Sequence, residues 1–160
     1  MVAPIDNRII YNHSLRAIEK NTIMKTNNQI IQIFIPMEHV PTVTYQQKKV
    51  TTINGKVTFY EPPKLKEVRQ MLFDGLYPHR PSEPLSGPVR LMSVWLYDTK
   101  DKKKLDTWKT TKPDTDNLVK LLKDVMTDCG YWHDDAQVCK EEIQKVWSEP
   151  SGLYIEVERL

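Results

Sequence analysis

Two short acidic segments hold the residues best suited to chemistry. The first, Lys112-Pro113-Asp114-Thr115-Asp116-Asn117-Leu118-Val119-Lys120, puts two carboxylates just after a proline at the mouth of an amphipathic helix. The second, Gly130-Tyr131-Trp132-His133-Asp134-Asp135-Ala136-Gln137-Val138, puts two more where that helix hands the chain to a strand. Each half also has a plain structural reading. Asp114 would cap the helix and Asp116 would complement its dipole, while Asp134 and Asp135 would form a solvated acidic turn. Inside a helix, residues two apart point about 200° away from each other. Asp114 and Asp116 can therefore share a ligand only if Asp114 is still extended, which Pro113 and the N-cap position favour. A carboxylate pair of this kind suits a hard cation such as Mg²⁺, which takes one or two protein carboxylates and keeps several waters.

Adjacent residues of an extended chain point to opposite faces, so only one of Asp134 and Asp135 is expected to join the first pair. Three carboxylates around one site repel each other without a cation, which is the physical motive for a metal. Lys120, four residues after Asp116 on the same helix face, is either an exposed ion-pair partner or a cation beside the metal. Asn117 is either a solvent-facing helix residue or a partner to the carboxylates. The histidines are scattered, and His133 reads as a loop residue.

The elements that must position these groups can be read from periodicity. Ile30 to Ile35 is rich in β-branched residues and reads as the first core strand, ended by Pro36 and Pro41. Lys49–Ile53 and Lys56–Tyr60 flank Asn54-Gly55, a strong hairpin signal because both turn residues accept positive φ. Leu65, Val68, Met71 and Leu72 recur at helical spacing, predicting a helix from Pro63 to Leu76. Pro78 to Pro88 reads as a connector and Val89–Tyr97 as a strand. Leu118, Leu121, Leu122, Val125 and Met126 mark the second helix, with Gly130 as its C-terminal cap. Val138–Trp147 and Leu153–Val157 read as a closing antiparallel pair across the Pro150–Gly152 turn. The expectation is an α+β single domain, a mixed sheet packed with two main helices.

Composition excludes several classes. A hydrophobic fraction of 39% and a charged fraction of 28% are ordinary for a globular chain. Two cysteines, Cys129 and Cys139, without a neighbouring Cys/His pair, argue against structural zinc and for reduced thiols. No apolar run is long enough to cross a bilayer and the start does not read as a signal peptide, so the expected location is the cytoplasm, with no membrane partner. Net charge is only +2, so any affinity for nucleic acid must come from charge distribution. From Asp98 to Pro113, six lysines stand against three aspartates, a net +3. Charge alone allows either a solvated, mobile connector or a phosphate-binding strip. Residues 1–28 are polar and read as an N-terminal extension without a catalytic role, a loosely attached arm unless translation starts at Met24.

Taken together, the pieces match a known family. Ile33-Phe34-Ile35-Pro36, Pro84-Leu85-Ser86-Gly87-Pro88-Val89, the Lys112-to-Lys120 motif, Tyr131-to-Val138 and a closing strand near Tyr154–Val157 make the chain similar to the RusA-type Holliday-junction resolvases, small endonucleases of bacteria and their prophages. The resemblance covers roughly residues 29–160. It implies a homodimer of α+β subunits that binds four-way DNA junctions and nicks paired strands using Mg²⁺ (or Mn²⁺), in DNA recombination and repair. It further implies that Asp114, Asp116, Lys120 and Asp135 are the essential residues, the three aspartates holding metal, with Asp134 able to assist. The loop after Pro36 lacks the arginines common there in the family. Hydrolysis of a phosphodiester would follow, with metal activating water. Lys102, Lys103, Lys104, Lys109 and Lys112, with Lys64, Lys66 and Arg69, would neutralise DNA phosphates. Trp108, amid those lysines, would stack on bases or pack. The rival readings are a non-catalytic junction-binding module and a metal-dependent phosphohydrolase of small esters; the basic stretch before Asp114 favours the nuclease.

Overall fold

A computed structural model describes residues 30–42, 49–53, 55–60 and 62–160. The extension expected at residues 1–28 and the Met24 alternative lie outside the described residues. The elements are β1 (Ile30–Pro36), β2 (Lys49–Ile53), β3 (Lys56–Tyr60), α1 (Pro63–Leu76), β4 (Val89–Tyr97), α2 (Thr115–Cys129), β5 (Val138–Trp147) and β6 (Gly152–Arg159). Among the described residues, strands and two α-helices make the fold α+β, as the periodicity indicated, and the four-stranded sheet is mixed. The described residues form two compact units: those from 30 to 40, with Gly87–Lys109 and Val138–Leu160, in one, and those from 41 to 86, with Thr110–Gln137, in the other.

The first unit is built on the sheet, in the order β1-β6-β4-β5. β6 is antiparallel to both β1 and β4, and β5 runs parallel to β4. The expected closing pair of β5 with β6 is therefore corrected: β4 lies between them. The physical reason is visible in β4 itself. From Ser93 to Tyr97 every residue is buried, so this strand needs a neighbour on each edge and cover on each face, and a continuous apolar run is the mark of such a strand. Gly152 opens β6 opposite both Pro36 and Leu96. A Cβ there would lie 2.5 Å from the Ile35 carbonyl oxygen, so the close approach of β1 requires glycine.

One end of this sheet carries a charged belt. The Arg90 guanidinium sits 2.6 Å from Glu156, 3.6 Å from Glu158 and 3.7 Å from Glu142. Gln32 donates to the other Glu156 oxygen at 2.8 Å. Burial alone would raise the Glu156 carboxyl, but the hydrogen bonds from Gln32 and Arg90 and the Arg90 charge outweigh it and hold it below the usual carboxylate range.

The second unit contains the β2–β3 hairpin, with Ile53 opposite Lys56 and Gly55 at φ 76°. Asn54 lies outside the described residues. α1 begins with Pro63 in its first turn and runs to Leu76, with Leu65, Leu72 and Leu76 buried. It packs against α2, whose buried stripe includes Leu118, Leu121, Leu122, Val125 and Met126. The pattern is the one expected of amphipathic helices sharing an apolar seam.

Candidate active site

All four residues expected to do chemistry belong to the second unit, and α2 organises them. Asp114 is the N-cap residue, with φ −77° and ψ 149°. It is extended, as sharing a ligand with Asp116 requires. Its carboxylate makes no capping hydrogen bond; it is paired instead with the Lys112 ammonium. That separates Asp114 from an ordinary N-cap, in which the side chain accepts a first-turn N–H. Asp116 is exposed in the first turn, and Lys120 is exposed one turn further on. Asn117 is only 8% exposed, so the solvent-facing reading of that residue is corrected. It falls on the apolar side of the helix with Leu118 and Leu121.

The C-terminal end of α2 sets the second acidic segment. Gly130, at φ 86°, stops the helix in a Schellman arrangement: its N–H donates to Thr127 O at 3.0 Å and the Tyr131 N–H reaches Met126 O at 3.0 Å. Tyr131 and Trp132 are then buried. The Tyr131 hydroxyl donates to Leu76 O at 2.8 Å and the Trp132 indole N–H to Thr127 Oγ1 at 2.7 Å. These two anchors fix where the chain emerges, and a single 3₁₀ turn, Asp135–Gln137, follows.

The side chains of that turn divide their work. Asp134 Oδ1 accepts the Ala136 N–H at 2.8 Å. Gln137 Oε1 accepts the His133 and Asp134 N–H groups, and its Nε2 donates to Leu85 O at 2.8 Å. Asp134 and Gln137 thus hold the turn together. Asp135, half-buried, lines an open groove of about 340 Å³ with Asp134, His133, Asp124, Thr127, Asp128 and Arg69. Arg69 reaches Asp128 at 3.2 Å and Asp124 at 3.8 Å, so its charge is met by helix carboxylates. Sequence periodicity put Arg69 on the outer face of α1 and missed Asp124 and Asp128 beside it; opposite charges on the facing surfaces of two helices were the signal available.

The groove is lined by the C-terminal half of α2, while Asp114 and Asp116 stand at its other end. Among the described residues, no three His, Cys, Asp or Glu side chains are gathered closely enough to hold a metal ion. The donors do fit one kind of ion. They are all carboxylate oxygens, and Asp114 is exposed and already balanced by a neighbouring cation, Lys112. That chemistry suits a hard divalent ion that keeps most of its water rather than one stripped into a protein cage.

The lysine-rich stretch before Asp114 is not a mobile connector over its length. Asp106 N–H donates to Trp147 O at 2.8 Å, Trp147 N–H to Thr107 O at 2.9 Å and Lys109 N–H to Lys145 O at 2.9 Å. Residues 106–109 therefore extend the sheet along β5, with Trp108 opposite Val146. Lys102–Lys104 form a 3₁₀ turn and are exposed. Lys109 departs from the solvated-loop picture: it is 6% exposed, with its ammonium 4.8 Å from the ring centres of both Tyr97 and Trp147. Burial, then the Lys145 charge, lowers its pKa. Lys64 is exposed at the start of α1.

An α+β chain with carboxylates at a helix mouth, preceded in sequence by an ordered basic turn, has the equipment of a nuclease. The family model for Endodeoxyribonuclease RusA matches residues 38–158. The crossover junction endodeoxyribonuclease RusA of Lactococcus phage r1t is 35% identical over 123 residues, 76% of this chain and 92% of that protein. The uncharacterized protein YqaN of Bacillus subtilis is 37% identical over 108 residues, 60% of this chain and 75% of its own length. The chain belongs to the RusA endodeoxyribonuclease family and is a nuclease, as the two acidic motifs indicated.

Proposed function

We propose that this protein is a Mg²⁺-dependent endonuclease that resolves four-way DNA junctions by paired nicks, acting as a homodimer in recombination and repair inside a bacterial or phage-infected cell. The family match across residues 38–158, which includes both acidic segments, carries the reading. The phage relative's name supplies the junction as substrate. Among the described residues no helix is long and apolar enough to cross a membrane.

Asp114 and Asp116, at the helix mouth, would hold the ion, and Asp135, which the family resemblance adds, would complete the set, although the described residues do not gather all three. When bound, Mg²⁺ supplies an activated water and offsets charge on the phosphate. The chain's own groups do the rest. Asp114, extended and unused as a cap, keeps its carboxylate available at the helix mouth. Lys112 balances that carboxylate before DNA arrives. Lys120 lies on the helix face of Asp116, where an ammonium stabilises charge on the phosphate or the departing oxygen. Asp134 and Gln137 hold the turn that presents Asp135. Asp134 and Gln137 are thus positioning residues.

The test is cleavage of a synthetic four-way junction with and without Mg²⁺, beside linear duplex of equal length. Asp116→Asn should bind the junction as the parent does while nicking falls by more than about a hundredfold. Unchanged nicking by that variant in Mg²⁺ would sink the site assignment.

A further inference from the structure

Trp108 is the anomaly of the sheet unit. The other tryptophans of this unit are 1% exposed (Trp95) and half-buried (Trp147), whereas Trp108 is 43% exposed. An indole left in water forfeits hydrophobic stabilisation, and here the exposure is not the product of a loose loop. The residue sits on backbone pinned to β5 on both sides, between the Trp147–Thr107 and Lys109–Lys145 hydrogen bonds, with Val146 opposite. The ring is held out by a rigid support.

Its surroundings favour an anion that carries flat apolar groups. Lys102, Lys103 and Lys104 form an exposed turn four to six residues before it. Two of the three aspartates of the same stretch are locally engaged: Asp101 accepts the Lys103 N–H at 3.0 Å and Asp98 lies 3.5 Å from His39. Thr107 ties the turn to the strand by donating its hydroxyl to Lys104 O at 2.6 Å. Lys109, the neighbour, is turned inward onto Tyr97 and Trp147, so strand alternation aims Trp108 to the opposite face.

We infer that Trp108 is a stacking platform for an unstacked DNA base, with Lys102–Lys104 gripping the adjoining phosphates, and that this surface distinguishes branched from linear DNA. The inference rests on the nuclease reading and names the substrate feature it recognises. Bases inside an intact duplex are already stacked on both faces. Only a base freed at a branch or in a single strand offers a face to an indole, and such stacking tolerates any base. Trp108 also precedes Asp114 by six residues, a stretch that spans at most about 22 Å, so one DNA molecule can meet both.

The experiment uses the full chain in EDTA, measuring affinity for a four-way junction, a dT oligonucleotide and a linear duplex. Trp108→Ala should weaken junction and oligonucleotide binding by about tenfold, within the roughly 5–150-fold range expected for one stacked base, while duplex affinity changes less than twofold. Trp108→Tyr should restore most of it. Indole emission should be quenched by dT in the parent and not in Trp108→Tyr, a readout that a packing role would not move. Equal loss on all three DNAs, or full junction affinity in Trp108→Ala, overturns the inference. A parent that binds and nicks junctions while Trp108→Ala matches it removes this inference alone; a parent that ignores junctions removes the reading beneath it.

Discussion

Replacing Arg90 by methionine tests the charged belt of the sheet quantitatively. Methionine keeps the length of the side chain and deletes the charge. The Arg90 side chain is 17% exposed and Glu156 is 13% exposed, 2.6 Å away. Breaking a buried pair costs about 3–5 kcal/mol because the remaining charge is stranded. Here Glu156 keeps its bond from Gln32 at 2.8 Å, and Glu142, 48% exposed, is well solvated; about 2–3 kcal/mol is expected, or a fall of about 5–10 °C in Tm for a chain of this size. The sign with pH separates this from lost packing. The Glu156 carboxyl lies below its ordinary value in the folded protein, so its stabilisation is complete above the unfolded value, about 4.3, and is lost as pH falls through the lower folded one. Arg90 is raised by its hydrogen bond to Glu156 and stays charged throughout. Without it, burial and the Glu158 and Glu142 charges push the Glu156 carboxyl upward, so the variant takes up a proton early and its deficit shrinks on acidification. Thermal melts at pH 7.5 and 4.5 should show a smaller difference from the parent at the lower pH. An equal drop at both values refutes the electrostatic account and leaves packing.

Three further outcomes can be checked with modest effort. Gly152→Ala drives a Cβ against the Ile35 carbonyl oxygen and the Phe34 ring, and should cost about 1–3 kcal/mol by denaturant unfolding, with little change in slope. Gly130→Ala meets nothing in space but must hold φ 86°, so it should cost about 1–2 kcal/mol, a difference that Gly130→Asn would partly recover. Burial pushes the Cys129 thiol up to about 11, whereas Cys139 is exposed. A thiol reagent at pH 8 should therefore modify one cysteine per native chain at Cys139 and two in denaturant, since the thiolate is the reactive form.

Local signals read well and non-local ones did not. Pro63 at a helix start, Gly130 at a helix end and Gly55 between two strands each act within a few residues, and α1, α2 and the β2–β3 pairing follow them. Strand partnership is a choice among distant segments. The short Pro150–Gly152 turn suggested that β5 and β6 pair, but Val94 to Tyr97 needs neighbours on both edges, and β4 takes both strands. The unbroken apolar run of β4 held that information, since a half-buried strand would alternate.

The site shows the same division at finer scale. Sequence spacing allowed Asp114 to be either a cap or a ligand, because both need an extended residue before the helix. The carboxylate makes no capping hydrogen bond and is paired with Lys112. It also left one member of Asp134-Asp135 to be chosen by alternation alone. Both aspartates line the groove, and Asp134 also accepts the Ala136 N–H within the turn. For the lysines, composition could not tell a charge that meets solvent from one laid on aromatic rings. Lys102 to Lys104 and Lys109 are alike in sequence, yet the first three lie exposed on a 3₁₀ turn while the fourth, on backbone paired to β5, is buried. A basic stretch therefore presents its charges to solvent only where the backbone holds them outward, and Trp108 lies on the adjoining backbone.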